Sequence, residues 1–263
     1  MSKTKVIAFA NNKGGSGKTT TASNVGLAMA KSGKRVLLLD GDMQMNLTLS
    51  FFDEERSLGF AEGGKNLYTA IKEEKELTDY VTPTAYEGLD IIPSSSLMSG
   101  IEFDLFTKWQ REFVLKKCLE PIRARGYYDY ILIDAPPTLG GWVMNIMCAS
   151  DFVIIPVEAS PWGLFGLANM FEFIGKVQSI TPKLEVMGIA ITKADERKNY
   201  FKQTVESLKD NDAVRLFNTY VRVDSAVEWS QDNSQPVVAY KRYSRSAIEY
   251  TKLAKEIMQY ADR

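Results

Sequence analysis

Short, mostly apolar runs recur along the chain, and most are followed by a stretch with helical periodicity. The runs are Val6-Ile7-Ala8-Phe9-Ala10, Val36-Leu37-Leu38-Leu39, Leu89-Asp90-Ile91-Ile92, Tyr130-Ile131-Leu132-Ile133, Phe152-Val153-Ile154-Ile155-Pro156-Val157 and residues 185–192. A strand that is apolar on both sides belongs inside a parallel sheet covered by helices. Helical spacing is read over residues 21–31, 66–75, 100–125, 142–149, from beyond 157 to about 177, 198–209 and 246–260. Strand and helix therefore alternate, which predicts βαβ units. The expected fold class is α/β: a single doubly wound, mostly parallel sheet with helices on both faces, residues 1–263 forming one domain.

Some stretches are less regular. Residues 53–80 are charged and read as a peripheral connection around the 66–75 helix. Over 100–125, Phe103, Phe106, Phe113, Val114, Leu115, Leu119 and Ile122 follow a helical period, with Trp109 beside them. These aromatics are expected in the core. Residues 213–217 read as a short strand, 219–235 as a loop and 236–240 as a further short segment.

Composition narrows the function classes. The 263 residues are 45% hydrophobic and 25% charged with a net charge of −1, an ordinary globular balance that announces no nucleic-acid partner. Charge is mildly uneven: residues 1–192 hold 19 basic and 22 acidic side chains, and 193–263 hold 13 and 11. Histidine is absent, which excludes a histidine base and histidine metal ligands. Cys118 and Cys148 form no C-x-x-C pair and read as free thiols of a reducing compartment. No apolar run is long enough to span a bilayer, and the first strand starts too early for a signal peptide. The expected location is cytoplasmic.

The candidate chemistry begins where the first apolar run ends, in Asn11-Asn12-Lys13-Gly14-Gly15-Ser16-Gly17-Lys18-Thr19-Thr20. A glycine-rich loop between a strand and a helix start is a phosphate cradle. Glycines let consecutive backbone N–H groups turn inward, and the helix N-terminus adds free donors and partial positive charge. Gly14, Gly15, Ser16, Gly17 and Thr20 are the expected cradle. Lys18 would reach the β- and γ-phosphates, and Thr19 would ligate Mg²⁺. The strict G-x-x-x-x-G-K-[ST] pattern is not met, because Asn12 occupies the first glycine position and Lys13 precedes the glycine pair. Two acids follow at strand ends, Asp40 (with Asp42 two residues on) and Asp134, where a parallel sheet gathers its ligands.

Lys-Gly-Gly-x-Gly-Lys-Thr resembles the deviant phosphate loop of the ParA/MinD ATPases. The segment 40–48 resembles their D-x-D-P-Q-G-N-A-T, departing at Met43, Met45 and Leu47. Asp134-Ala135-Pro136-Pro137-Thr138-Leu139-Gly140 resembles their Walker B motif, D-x-P-P-S-L-G. The likeness extends to Glu228, Pro236 and Tyr240 and so covers nearly the whole chain.

The resemblance implies an ATPase using ATP and Mg²⁺. Lys13, Lys18 and Asp42 would be catalytic, Asp42 orienting water and Lys13 reaching the nucleotide of a partner subunit. Thr19, Asp40 and Asp134 would hold the metal, and Thr192 and Lys193 would lie near the adenine. It further implies an ATP-dependent homodimer of the short form, without the N-terminal helix-turn-helix of longer members. Such a dimer would bind nonspecific DNA over the nucleoid and be released by a ParB-like partner in plasmid or chromosome partition. Arg197, Arg222, Lys241, Arg242 and Arg245 are the candidate DNA contacts. A MinD-type membrane-surface ATPase is the alternative. It would need an amphipathic helix projecting beyond the fold, whereas the resemblance implies that the helix with the apolar face Ala247, Tyr250, Ala254, Ile257 and Met258 is used for packing. An iron–sulfur relative would need a cysteine in a suitable loop, and Cys148 falls within a helical pattern.

Overall fold

The computed structural model describes residues 4–160, 166–209 and 214–263. In chain order the elements are β1 (Lys5–Phe9), α1 (Lys18–Lys31), β2 (Val36–Asp40), α2 (Asn46–Leu49), α3 (Glu54–Glu62), α4 (Leu67–Lys72), β3 (Thr82–Pro83) and β4 (Leu89–Ile92). Then come α5 (Ile101–Phe106), α6 (Val114–Arg125), β5 (Tyr130–Asp134), α7 (Gly141–Ala149), β6 (Phe152–Glu158), α8 (Leu167–Ile180) and β7 (Glu185–Thr192). The chain closes with α9 (Asn199–Lys209), α10 (Ser225–Asp232), α11 (Val237–Tyr240) and α12 (Arg245–Ala261).

The strands form one seven-stranded sheet in the order β3-β4-β2-β5-β1-β6-β7. All pairings are parallel except that of the two-residue edge strand β3 with β4. Successive side chains of a strand point to opposite faces, and each face has its own core. Val6 and Ala8 face a layer built from α4 to α9, whereas Ile7 and Phe9 face α1 and α12. The α/β class is as expected, and burial on both faces accounts for the unbroken apolar runs.

The order places β1 between β5 and β6, so the connections after β1 and β5 diverge at the carboxyl edge of the sheet. Ligands collect at such switch points. Register aligns Phe9 with Asp134, and Asp134 with Asp40. Three strand ends with two carboxylates therefore meet directly under the loop that precedes α1.

The expected 100–125 helix is broken. Residues between α5 and α6 include Gln110 at φ 50°, a left-handed conformation that no continuing helix permits. The buried positions of α5 are Ile101 and Leu105, and Phe103, Phe106 and Trp109 point outward. Spacing by three mimics one helix face, but the four-residue spacing of Ile101 and Leu105 faces the core. The expected 219–235 loop contains α10, started by Asp224, whose side chain accepts from the Ala226 amide. Residues 236–240 form a helical turn, α11. Of the expected 213–217 strand, Ala213 lies outside the described residues and Leu216 makes only an isolated parallel bridge to Ile189. Residues 161–165, at the expected start of the helix before residue 177, also lie outside them.

Candidate nucleotide site

A cleft of about 730 Å³ opens at the carboxyl edge of the sheet, lined by residues 14–20, Asp42, Gln44, Asn46, Thr192, Lys193 and one side of α10 through Val227, Glu228, Gln231 and Asp232. The predicted cradle and the two predicted base-side residues thus face one space. Gly17 stands at φ +83°, and a Cβ there would lie 3.2 Å from the Thr192 methyl, so both backbone and space require glycine. Thr192 completes the packing by donating its hydroxyl to the Ser16 carbonyl at 2.8 Å.

Lys18 and Thr19 open α1. Lys18 is buried, and its Nζ donates to the Lys13 carbonyl at 3.2 Å. Burial lowers its affinity for a proton, and the carboxylates of Asp134 and Asp42 oppose that shift. Thr19 Oγ1 donates to Asp134 Oδ2 at 2.6 Å. Asp134 is fully buried, and its Oδ1 has no hydrogen-bond partner among the described residues. Burial and the neighbouring Asp40 push its pKa well up, against the pull of Thr19 and Lys18. An orphaned carboxylate oxygen beside a threonine hydroxyl and a buried lysine is costly unless a cation completes it. The donor set, hard oxygen only, fits Mg²⁺.

Asp40 is oriented differently from the expectation. Its Oδ2 accepts from the Thr48 amide at 2.8 Å and the Thr48 hydroxyl at 2.7 Å, and its Oδ1 accepts from the Asp42 amide at 3.2 Å. Both oxygens are occupied beneath the 42–48 segment, and Asp40 does not line the cleft. Burial pushes its pKa up to about 6. Its observed work is to anchor the segment that carries Asp42. Asp42 does line the cleft, and its Oδ1 accepts from the Gln44 amide at 3.1 Å. The departure from the glycine pattern is absorbed locally: Met45 stands at φ 58°, left-handed, directly before α2. That conformation costs a non-glycine residue about 1–2 kcal/mol.

Lys13 lies outside the cleft lining. Its ammonium is 3.4 Å from Glu158 Oε2 and 3.2 Å from Ser160 Oγ. Of the five cations expected on a DNA surface, Arg222 is spent elsewhere. Its guanidinium pairs with buried Glu249 and with Glu196 at 3.2 Å, and it borders the nucleotide cleft. Arg197 is held by Asp195, and Arg245 donates to the Val223 carbonyl. Lys241 lies 5.0 Å from the Trp229 ring centroid and Arg242 4.6 Å from that of Tyr243.

Residues 4–186 match the family model described as an AAA domain. The chain is 34% identical over 255 residues to the chromosome partitioning protein ParA of Caulobacter vibrioides strain NA1000, covering 97% of this chain and 94% of that protein. The chain belongs to the ParA family of P-loop ATPases. Within that family it is also 35% identical to the sporulation initiation inhibitor protein Soj of Bacillus subtilis, over 96% of this chain and 98% of Soj. Among solved structures, it superposes on cobyrinic acid a,c-diamide synthase of Mycobacterium smegmatis with a TM-score of 0.83 at 26% identity, covering 98% and 96% of the two chains. That enzyme was crystallised with an ATP analogue and magnesium.

Several residues of this ParA-type site escaped the sequence reading. Gln231 of α10 donates to Thr20 Oγ1 at 3.3 Å, tying the far wall of the cleft to α1. Asp224 joins α10 to α12 by accepting from both the amide and the hydroxyl of Ser246. The one available signal was Asp224 itself, a favoured cap residue ahead of helix-compatible positions.

Proposed function

We propose that this chain, acting as one domain over residues 1–263, is a Mg²⁺-dependent ATPase that drives DNA partition as an ATP-bound dimer. The observation that carries the ATPase reading is the buried group Lys18–Thr19–Asp134 with its unpartnered Asp134 Oδ1. Thr19 Oγ1 and Asp134 Oδ1 are the groups to hold magnesium, directly or through its water. Such an ion would supply positive charge against the phosphates that the loop binds. The glycine-loop amides and Lys18 bind the phosphates. Asp42 orients the attacking water, and the site needs no histidine because a loose phosphoryl-transfer transition state asks for position and charge.

Lys13 supplies its charge to the nucleotide of the partner subunit. To do so it leaves Glu158, an ion pair about one-third exposed on each side and therefore weak. The dimer binds nonspecific DNA through Arg197, Lys241, Arg242 and Arg245, and a ParB-like partner stimulates otherwise weak hydrolysis. The working location is the cytoplasm, over the nucleoid. The burial of α12 speaks against the membrane-surface alternative. Ala247, Tyr250, Ala254 and Ile257 of α12 are buried in the core shared with α1.

Phosphate release from ATP, with and without magnesium, tests the reading on the wild type and on Asp134→Asn. The proposal predicts magnesium-dependent turnover that the variant lowers by at least about tenfold, the size of a lost charge-stabilising contact. Equal turnover in the two proteins would remove Asp134 from the site.

A further inference from the structure

Gly41 stands between Asp40 and Asp42, and the fold closes on it from two sides. Its amide donates to the Asp134 carbonyl at 3.0 Å, which ties the end of β2 to the end of β5. Its carbonyl accepts the indole N–H of Trp142, from the first turn of α7, at 2.8 Å. A Cβ at Gly41 would lie 2.7 Å from the Asp134 carbonyl oxygen and 3.4 Å from the indole nitrogen, so the two neighbours leave no room for a side chain. Trp142 is 2% exposed, inside the core of the layer built from α4 to α9. A phenylalanine would fill most of that space. What the tryptophan adds is one donor, and a buried donor is costly without an acceptor.

The Gly41 carbonyl and the Asp42 amide belong to one planar peptide unit. Trp142 holds its carbonyl end, and Asp40 Oδ1 accepts from its amide end at 3.2 Å. With both ends held, the plane is kept from turning, and the direction in which the Asp42 side chain leaves the backbone is set. Asp42 lines the cleft and Trp142 does not, so the tryptophan reaches the site only through that peptide. The start of α7 is itself held. Glu102 of α5 accepts the Trp142 amide on its Oε1 at 2.9 Å, one of the donors that a helix start leaves without an intrahelical partner. Gly140 and Gly141 make room for this contact, because a Cβ at either would collide with a Glu102 carboxylate oxygen.

We propose that Trp142 is a positioning residue for hydrolysis: its indole N–H fixes the 41–42 peptide unit and so aims Asp42, and Glu102 holds Trp142 in place to do it. The inference rests on the ATPase reading, with Asp42 orienting the attacking water. Because Trp142 stands outside the cleft lining, it acts on turnover and not on nucleotide binding.

Trp142→Phe keeps an aromatic ring and removes the donor. Steady-state phosphate release from ATP, at one protein concentration and well below each melting temperature, gives kcat and KM, and calorimetry gives the affinity for ADP. Trp142→Phe should lower kcat at least about fivefold, inside the range that misplacing a reacting group reaches, and leave KM and ADP affinity within about twofold of wild type. On an Asp42→Ala background the same substitution should have no further effect on kcat, because two residues that act through one group are not additive. Glu102→Ala should lower kcat at least about twofold, and Glu102→Gln, which keeps an acceptor oxygen, should restore it. An unchanged kcat in Trp142→Phe, a fall matched by an equal loss of ADP affinity, or an effect that persists in full on Asp42→Ala overturns the proposal. If Trp142→Phe does not fold, the Glu102 pair decides: Glu102→Ala with the wild-type kcat, or Glu102→Gln as slow as Glu102→Ala, overturns it. A wild type that never hydrolyses ATP refutes the ATPase reading and this inference together, whereas wild-type turnover that is indifferent to Trp142 leaves the ATPase reading standing.

Discussion

Arg222 separates a structural role from a DNA-contact role. Its Nε and backbone amide both donate to Glu249, whose side chain is only 7% exposed, while the arginine side chain is 38% exposed. Breaking a buried pair by removing one partner costs about 3–5 kcal/mol, because the other charge is left uncompensated. Two features reduce the figure here. The Arg222 amide remains as a donor, and the guanidinium is partly solvated. Roughly 1–2 kcal/mol is expected for Arg222→Ala, a drop in Tm of about 2–8 °C for a chain of this size. Arg242→Ala removes only an exposed contact with the Tyr243 ring and should cost less than about 1 kcal/mol. Thermal unfolding by circular dichroism, in matched buffer, reads both. Adding Glu249→Gln to Arg222→Ala should recover part of the loss, because the stranded charge is then gone. DNA binding well below both melting temperatures completes the comparison: Arg242→Ala should reduce the salt slope by about one unit, and Arg222→Ala should leave it unchanged. If Arg222→Ala melts with the wild type and loses DNA affinity, the arginine is a phosphate contact and the structural reasoning fails.

The two lysines should fail differently. Lys18→Ala should abolish nucleotide binding in calorimetry, whereas Lys13→Ala should bind ADP normally but lose ATP-dependent dimerisation and about a hundredfold or more in hydrolysis; equal loss of ADP binding would end the cross-subunit role. Asp42→Ala should still bind ATP and collect as a dimer on sedimentation, with hydrolysis down at least about tenfold; a variant that stays monomeric in ATP and magnesium contradicts this. Gly17→Ala forces a side chain into a left-handed position against Thr192 and should cost about 1–2 kcal/mol of stability together with most of the nucleotide affinity; wild-type titrations with this variant would show that the loop does not need its shape.

The cleft was largely legible before the structure, for a physical reason. Phosphate binding needs backbone donors, so the glycine loop leaves a mark in residue types, and strand-end acids such as Asp134 stand out against apolar runs. Asp40, expected at the metal, is seen binding its own following segment, because a strand-end carboxylate can face the cleft or turn to the residues after it, and Thr48 holds it there. The same reasoning misread residues 100–125, where Phe103, Phe106 and Trp109 share a period with the core positions but sit on the opposite side of a broken helix. Arg222 was open to two readings, a DNA contact or a partner of Asp224 or Glu249, and the structure pairs it with Glu249 on another element. Residues 225–232 passed as a loop because they are short and polar, and their helix is held by contacts to Thr20 and Ser246 distant in sequence.

If the proposed function is right, ATP assembles this chain into a dimer that holds DNA. Light scattering coupled to size exclusion measures it directly, with the wild type in magnesium and ATP, then in magnesium and ADP, each with and without plasmid DNA. Twice the 29.5 kDa chain mass is expected in ATP, the single-chain mass in ADP, and co-elution with DNA in ATP alone. One mass in both nucleotides, or DNA binding that ignores the nucleotide, would contradict it.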